Sequence, residues 1–177
     1  MNKNMSSIKD NSRNMIETIA QLVREKLKLS TPIDMISAVR ALGGQCVPVA
    51  TTEYDAKIET VNTRDSQFII NYAENQADER IRFSIAHELG HLFLHMLQQD
   101  GCLSTDTYFR GKQSNRSFVE WEANEFAASL LMPKDEFVTF CRDQQNEDDS
   151  IDLDCVAKYF GVTQQATYVR GKVLDLW

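Results

Sequence analysis

The stretch that decides the fold of this 177-residue chain runs from residue 86 to residue 95 and reads AHELGHLFLH. It contains all three histidines of the chain, His87, His91 and His95, and the first two enclose a glutamate in the order H-E-x-x-H. On an α-helix, residues four apart differ by about 40° around the axis and about 6 Å along it, so both imidazoles can reach one cation. The pattern therefore predicts a helix that binds a metal, with Glu88 placed to hold a water on that metal.

The two histidines need a third protein ligand, because a catalytic zinc usually takes three and leaves one position for water. His95 lies about 12 Å from His87 along the helix axis, too far to share one ion with both other histidines. We expect it not to bind the metal directly, but to have a structural role or to support a ligand residue from behind. Glu120, on the next predicted helix at 117–132, is the better candidate for the third ligand. Asn124 lies four residues later on the same face of that helix and can hydrogen-bond a ligand histidine.

The remaining acidic residues of that helix are expected to face solvent. By helical periodicity Glu122 and Glu125 point away from the face that carries Glu120. The small residues Ala127 and Ala128 lie on that face and allow this helix to approach the histidine helix closely.

The spacing of apolar residues predicts an α+β fold that is mostly helical. Residues 1–11 look like a flexible polar tail, and residues 12–177 a single domain with a C-terminal helical subregion at about 150–177. Helices are predicted at 12–29, at 30–42 with Thr31 as N-cap, and at 78–98, 117–132, 134–144, 151–160 and 163–174. Short strands are predicted at 45–49, 56–62 and 67–72, forming a small, largely antiparallel three-stranded sheet.

The composition of the chain limits the classes of function that it can have. The formal net charge of −7 argues against direct nucleic-acid binding or binding to an anionic membrane surface. No apolar signal peptide precedes the first helix and no stretch approaches the length of a membrane span, so we expect a cytoplasmic protein. The four cysteines form no C-x-x-C pair and are expected to be free thiols.

Two motifs together resemble the ImmA/IrrE family of zinc metallopeptidases. They are RFSIAHELGHLFLH at residues 82–95 and EWEANEFAASLLMP at residues 120–133. The resemblance covers roughly residues 15–175 and implies a gluzincin-like (zincin-like) peptidase domain. It implies that His87, His91 and Glu120 bind Zn²⁺ and that Glu88 is the catalytic base. The implied substrate is a helix-turn-helix repressor of a mobile element, phage or stress regulon, in a bacterial or phage setting.

Other roles stay open at this point. Tyr108 is our candidate for stabilising the oxyanion, with Arg110 and His95 as rivals, and residues 99–115 form either a lid at the cleft or a plain surface loop. Residues 153–166 resemble a helix-turn-helix core, which we expect to pack onto the peptidase body rather than to bind DNA.

Two further functions compete with the peptidase. The chain could be a non-cleaving, zinc-containing antirepressor or sensor, or a toxin–antitoxin component, acting by protein binding alone. Retention of Glu88 favours the endopeptidase, because a pure binding module does not need a base. We expect a monomer or a weak oligomer.

Overall fold

The computed structural model describes residues 2–61, 63, 65–97, 113–146 and 150–177. The described part confirms a mostly helical α+β fold with one small sheet and a helical C-terminal tail. In chain order its elements are α1 (Asn2–Leu27), α2 (Met35–Ala41), β1 (Gly44–Val49), β2 (Ala56–Thr60), β3 (Phe68–Ala73), α3 (Asp78–His91), a π-helical turn (Leu92–Met96), α4 (Gln113–Leu131), α5 (Lys134–Asp143), α6 (Leu153–Phe160) and α7 (Gln164–Val173).

The first two helices begin at residues other than those predicted. Helix α1 starts at Asn2, well before residue 12, and buries Ile16 and Ala20 completely. The N-cap of helix α2 lies three residues later than predicted, because Asp34 rather than Thr31 accepts a free backbone N–H of the first turn, that of Ser37. An aspartate carboxylate at this position is a strong cap and overrides the weaker threonine signal.

The sheet is mixed, not largely antiparallel as predicted. Its strand order is β1-β3-β2, with β2 antiparallel and β1 parallel to β3. Strand β3 carries the most apolar sequence and takes the central position, where Phe68 and Ile70 are buried. The polar β2 (AKIET) lies at the edge. Strand β3 runs opposite to β2, and β1 pairs with the other edge of β3 and runs parallel to it.

Helix α3 lies in the centre of the molecule, between the sheet and α4. It contacts β2 and β3 on one side and α4 on the other, and α4 in turn packs against α1. The two helices lie close together at Gly90 and Ala123, since a Cβ added at Gly90 would come within 2.9 Å of the Ala123 backbone. Because glycine has no side chain, Gly90 allows the two helices to pack at short distance.

The C-terminal helices pack on this body, in line with the prediction for the tail. Val156, Phe160 and Val162 are buried in the common core. Arg170 of α7 is fully buried, donates from Nε to the Met132 carbonyl at 3.1 Å and pairs with Glu17 of α1 at 2.8 Å. Arg170 is thus used for packing α7 onto the body of the fold.

Among the described helices, none has a stretch long and apolar enough to cross a membrane. Cys46, Cys141 and Cys155 are free thiols. Burial raises the pKa of both Cys46 and Cys141 to about 11, so these two stay protonated near neutral pH.

Candidate metal centre

Helices α3 and α4 bring three ligand atoms to one point. The Nε2 atoms of His87 and His91 lie 3.0 Å apart, and Glu120 Oε2 lies 3.3 Å from the first and 3.7 Å from the second. Ligands of a tetrahedral zinc at 2.0–2.1 Å are separated by about 3.4 Å. The distances between the three atoms therefore fit ligands of a single tetrahedral ion.

The ring nitrogens that face away from this point are held by other side chains. His87 Nδ1 lies 3.0 Å from Asn124 Oδ1, and His91 Nδ1 lies 3.1 Å from His95 Nδ1. The amide oxygen of Asn124 can only accept, so His87 donates from Nδ1 and keeps its Nε2 lone pair for a metal. The structure thus brings Asn124, expected to hold a ligand histidine, to His87.

The environment of His91 keeps it neutral. Burial, with His87 and His95 as neighbours, lowers the pKa of His91 to about 3. The ring is only 2% exposed. A neutral imidazole is the form that binds metal, so the site is prepared for a cation near neutral pH.

Glu88 is the second carboxylate beside the histidines, and it is held differently from Glu120. It is buried, its ligand atom lies within 4.8 Å of those of His87 and His91, and Oε2 accepts from the Ile58 N–H of β2 at 3.0 Å. Burial raises the pKa of Glu88, against the influence of His87 and the Ile58 N–H, and Glu120 adds to the rise. Glu120, whose oxygen lies close to both Nε2 atoms, fits the ligand position.

The expectation for Glu122 and Glu125 is wrong. Glu122 Oε2 lies 3.1 Å from His95 Nε2, and Glu125 is buried and pairs with Arg13 of α1 at 2.9 Å. Ala123 faces Gly90 at the contact between the two helices. The neighbouring Glu122 and Glu125 therefore lie where they contact His95 and Arg13. Sequence periodicity missed Glu122 because its direction depends on how α4 crosses α3. Tyr108, Arg110 and residues 99–112 of the segment interpreted as a lid or a plain surface loop lie outside the described residues, and its last residues, 113–115, belong to α4.

Because Gly90 sets the distance between α3 and α4, its replacement tests the geometry of the site. We expect Gly90→Ala to lower the free energy of unfolding by about 1–3 kcal/mol, since its Cβ meets helix backbone rather than a flexible side chain. The same shift should move Glu120 away from the histidines and weaken metal binding. Urea unfolding and a metal titration measure the two effects.

Gly43→Ala is the matched control for that substitution. Gly43 has a φ of +79° with no atom within 4 Å of the added Cβ, so the methyl causes backbone strain without a clash. It should lower stability and leave metal affinity unchanged. Equal metal affinity in Gly90→Ala and wild type would show that the helix contact does not set the ligand geometry.

Comparisons with known proteins give a family match and a similar fold. The family model of the IrrE N-terminal-like domain (Peptidase_M78) matches residues 49–172. Among curated proteins, none matches the chain. A solved structure described as a Mycobacterium tuberculosis transcriptional regulator is similar with a TM-score of 0.61 and 19% identity, covering 86% of this chain and 45% of that one. This chain therefore spans less than half of that protein, and at this identity the likeness shows the fold alone.

Proposed function

Because the chain belongs to the IrrE N-terminal-like domain family, a peptidase family, we propose that it is a zinc-dependent endopeptidase that cleaves a helix-turn-helix transcriptional repressor. The observation that carries the proposal is the meeting of His87, His91 and Glu120 within 3.0–3.7 Å of one another, beside the buried Glu88. A pure binding module would not need a buried carboxylate with a raised pKa beside the ligand histidines.

His87, His91 and Glu120 would hold the zinc. When bound, zinc would supply Lewis acidity and an activated water for attack on a peptide carbonyl. Glu88 takes the proton of the attacking water on a carboxylate oxygen and delivers it to the leaving amine nitrogen. The Ile58 N–H fixes Oε2, which keeps the carboxylate in one orientation. Burial raises the pKa of Glu88 towards neutrality, and this favours a group that must both accept and release a proton.

The class of substrate is proposed from relatives and charge. The solved structure with the same fold is described as a transcriptional regulator, which supports a role in gene regulation. A net charge of −7 favours contact with a regulatory protein over contact with DNA. The repressor, and hence this peptidase, would be located in the cytoplasm.

The test is incubation of the purified chain with the repressor encoded beside its gene. We expect fragments by mass spectrometry with zinc-loaded protein, none after chelation, and recovery when zinc is added back. A DNA-binding protein of similar size from an unrelated regulon is the control and should stay intact. Relief of repression without fragments, equal before and after chelation, would contradict the peptidase and favour the non-cleaving antirepressor.

A further inference from the structure

A chain of hydrogen bonds leads from a carboxylate on α4 through two histidines to the metal site. Glu122 Oε2 lies 3.1 Å from His95 Nε2, and His95 Nδ1 lies 3.1 Å from His91 Nδ1. All three side chains are shielded from solvent, with exposed fractions of 17% for Glu122, 10% for His95 and 2% for His91. Shielding strengthens such bonds and excludes competing water.

The end of the histidine helix brings these hydrogen-bonded side chains together. Residues Leu92–Met96 form a π-helical turn, closed by a bond from the Leu97 N–H to the Leu92 carbonyl at 2.9 Å. The widened turn places the His95 ring beside that of His91, with centroids 5.2 Å apart. Turns of this kind occur mostly within α-helices and are frequent at functional sites.

The direction of the bonds follows from the chemistry of the groups. An ionised carboxylate can only accept, so His95 donates from Nε2 to Glu122. A neutral His95 then has a lone pair on Nδ1, and His91 must donate from its own Nδ1. This leaves the lone pair of His91 on Nε2, the atom that faces His87 and Glu120. The reverse tautomer of His91 would place a proton where the metal binds.

We propose that Glu122 and His95 are positioning residues, which together hold His91 in the tautomer and orientation that bind the metal. The inference rests on the proposed metal site and deepens it. Neither residue contacts the ion or the substrate; they act through His91. A carboxylate or carbonyl behind a ligand histidine raises its basicity, and loss of such a partner typically weakens metal binding by about 10–100-fold.

The experiment measures zinc affinity by competition with a chromophoric chelator, without any substrate. We expect Glu122→Ala and His95→Phe each to weaken binding by about 10–100-fold. The double variant should lose little more than either single one, because both break the same chain. His95→Gln should keep most of the affinity, since its amide can donate to Glu122 and accept from His91.

A second measurement does not need metal. In the long-range ¹⁵N–¹H spectrum of the metal-free protein, the fraction of His91 with its proton on Nδ1, rather than on the Nε2 atom that faces His87, should be highest in wild type and His95→Gln. In Glu122→Ala and His95→Phe this fraction should fall. A purely structural ion pair would not change this signature.

Glu125→Ala is the matched control, because it removes a carboxylate of similar burial from the same helix. Glu125 pairs with Arg13 and contacts none of the histidines described here. It should reduce stability and leave zinc affinity and the His91 tautomer unchanged. If Glu122→Ala matches Glu125→Ala in both readouts, the positioning role is wrong while the metal site stands. If wild type itself binds no zinc, the proposed function fails first.

Discussion

Replacing Glu88 with glutamine is expected to reduce cleavage of the repressor by about 10²–10⁴-fold, the usual contribution of a general base. The amide has the size of the carboxylate, and its oxygen can still accept from the Ile58 N–H, so the geometry should persist. Because Glu120 and the two histidines remain, zinc content should be unchanged. Comparison of kcat/KM with elemental analysis of the same preparation separates loss of the base from loss of the metal.

Glu59→Gln is the control for that experiment, because it makes the same change on the strand that contacts Glu88. Glu59 is exposed on β2 and pairs with Lys57 at 2.7 Å. Its loss should alter kcat/KM by less than about twofold, since an exposed ion pair contributes little. Full activity in Glu88→Gln would place the base elsewhere, and equal losses in both variants would point to a disturbed strand rather than to proton transfer.

The sequence could predict the histidine helix because local geometry determines it. Two histidines four apart on a helix lie on one face, whatever surrounds them. The predictions for the three strands and the tail helices agree with the structure to within a few residues for the same reason, and the single helix predicted at 78–98 is found as α3 followed by the π-helical turn. Each of these predictions rests on the apolar periodicity of the element or on a glycine or proline at its end.

The rest of the site depends on contacts between elements. The turn at Leu92–Met96 could not be read from its sequence, because the same residues suit α- and π-helical bonding. The direction of Glu122 follows from the close approach of Ala123 to Gly90, a feature of how two helices cross. Likewise β1 is parallel to β3 because β3, the most apolar strand, lies at the centre of the sheet. Its central position depends on packing against the whole core and not on its own sequence.

Glu120→Ala should have the largest effect on the metal, because it removes one of the three atoms that meet at the site. We expect zinc affinity to fall by more than the about 10–100-fold typical of a residue behind a ligand. Two histidines on one helix can still hold an ion weakly, so binding should become sub-stoichiometric at micromolar zinc. A chelator competition titration gives the affinity, and cleavage should be lost with it.

Stability measurements distinguish a ligand from a structural residue at this position. The Glu120 side chain is 41% exposed, so its removal from the metal-free protein should change the free energy of unfolding by less than about 0.5 kcal/mol. Wild type should gain about 2.7 kcal/mol when free zinc reaches a hundred times its Kd, and Glu120→Ala should gain far less at the same concentration. An equal gain in both proteins would contradict Glu120 as a ligand. The buried Glu88, the other carboxylate beside the histidines, would then be the ligand to test next, because its ligand atom already lies within 4.8 Å of theirs.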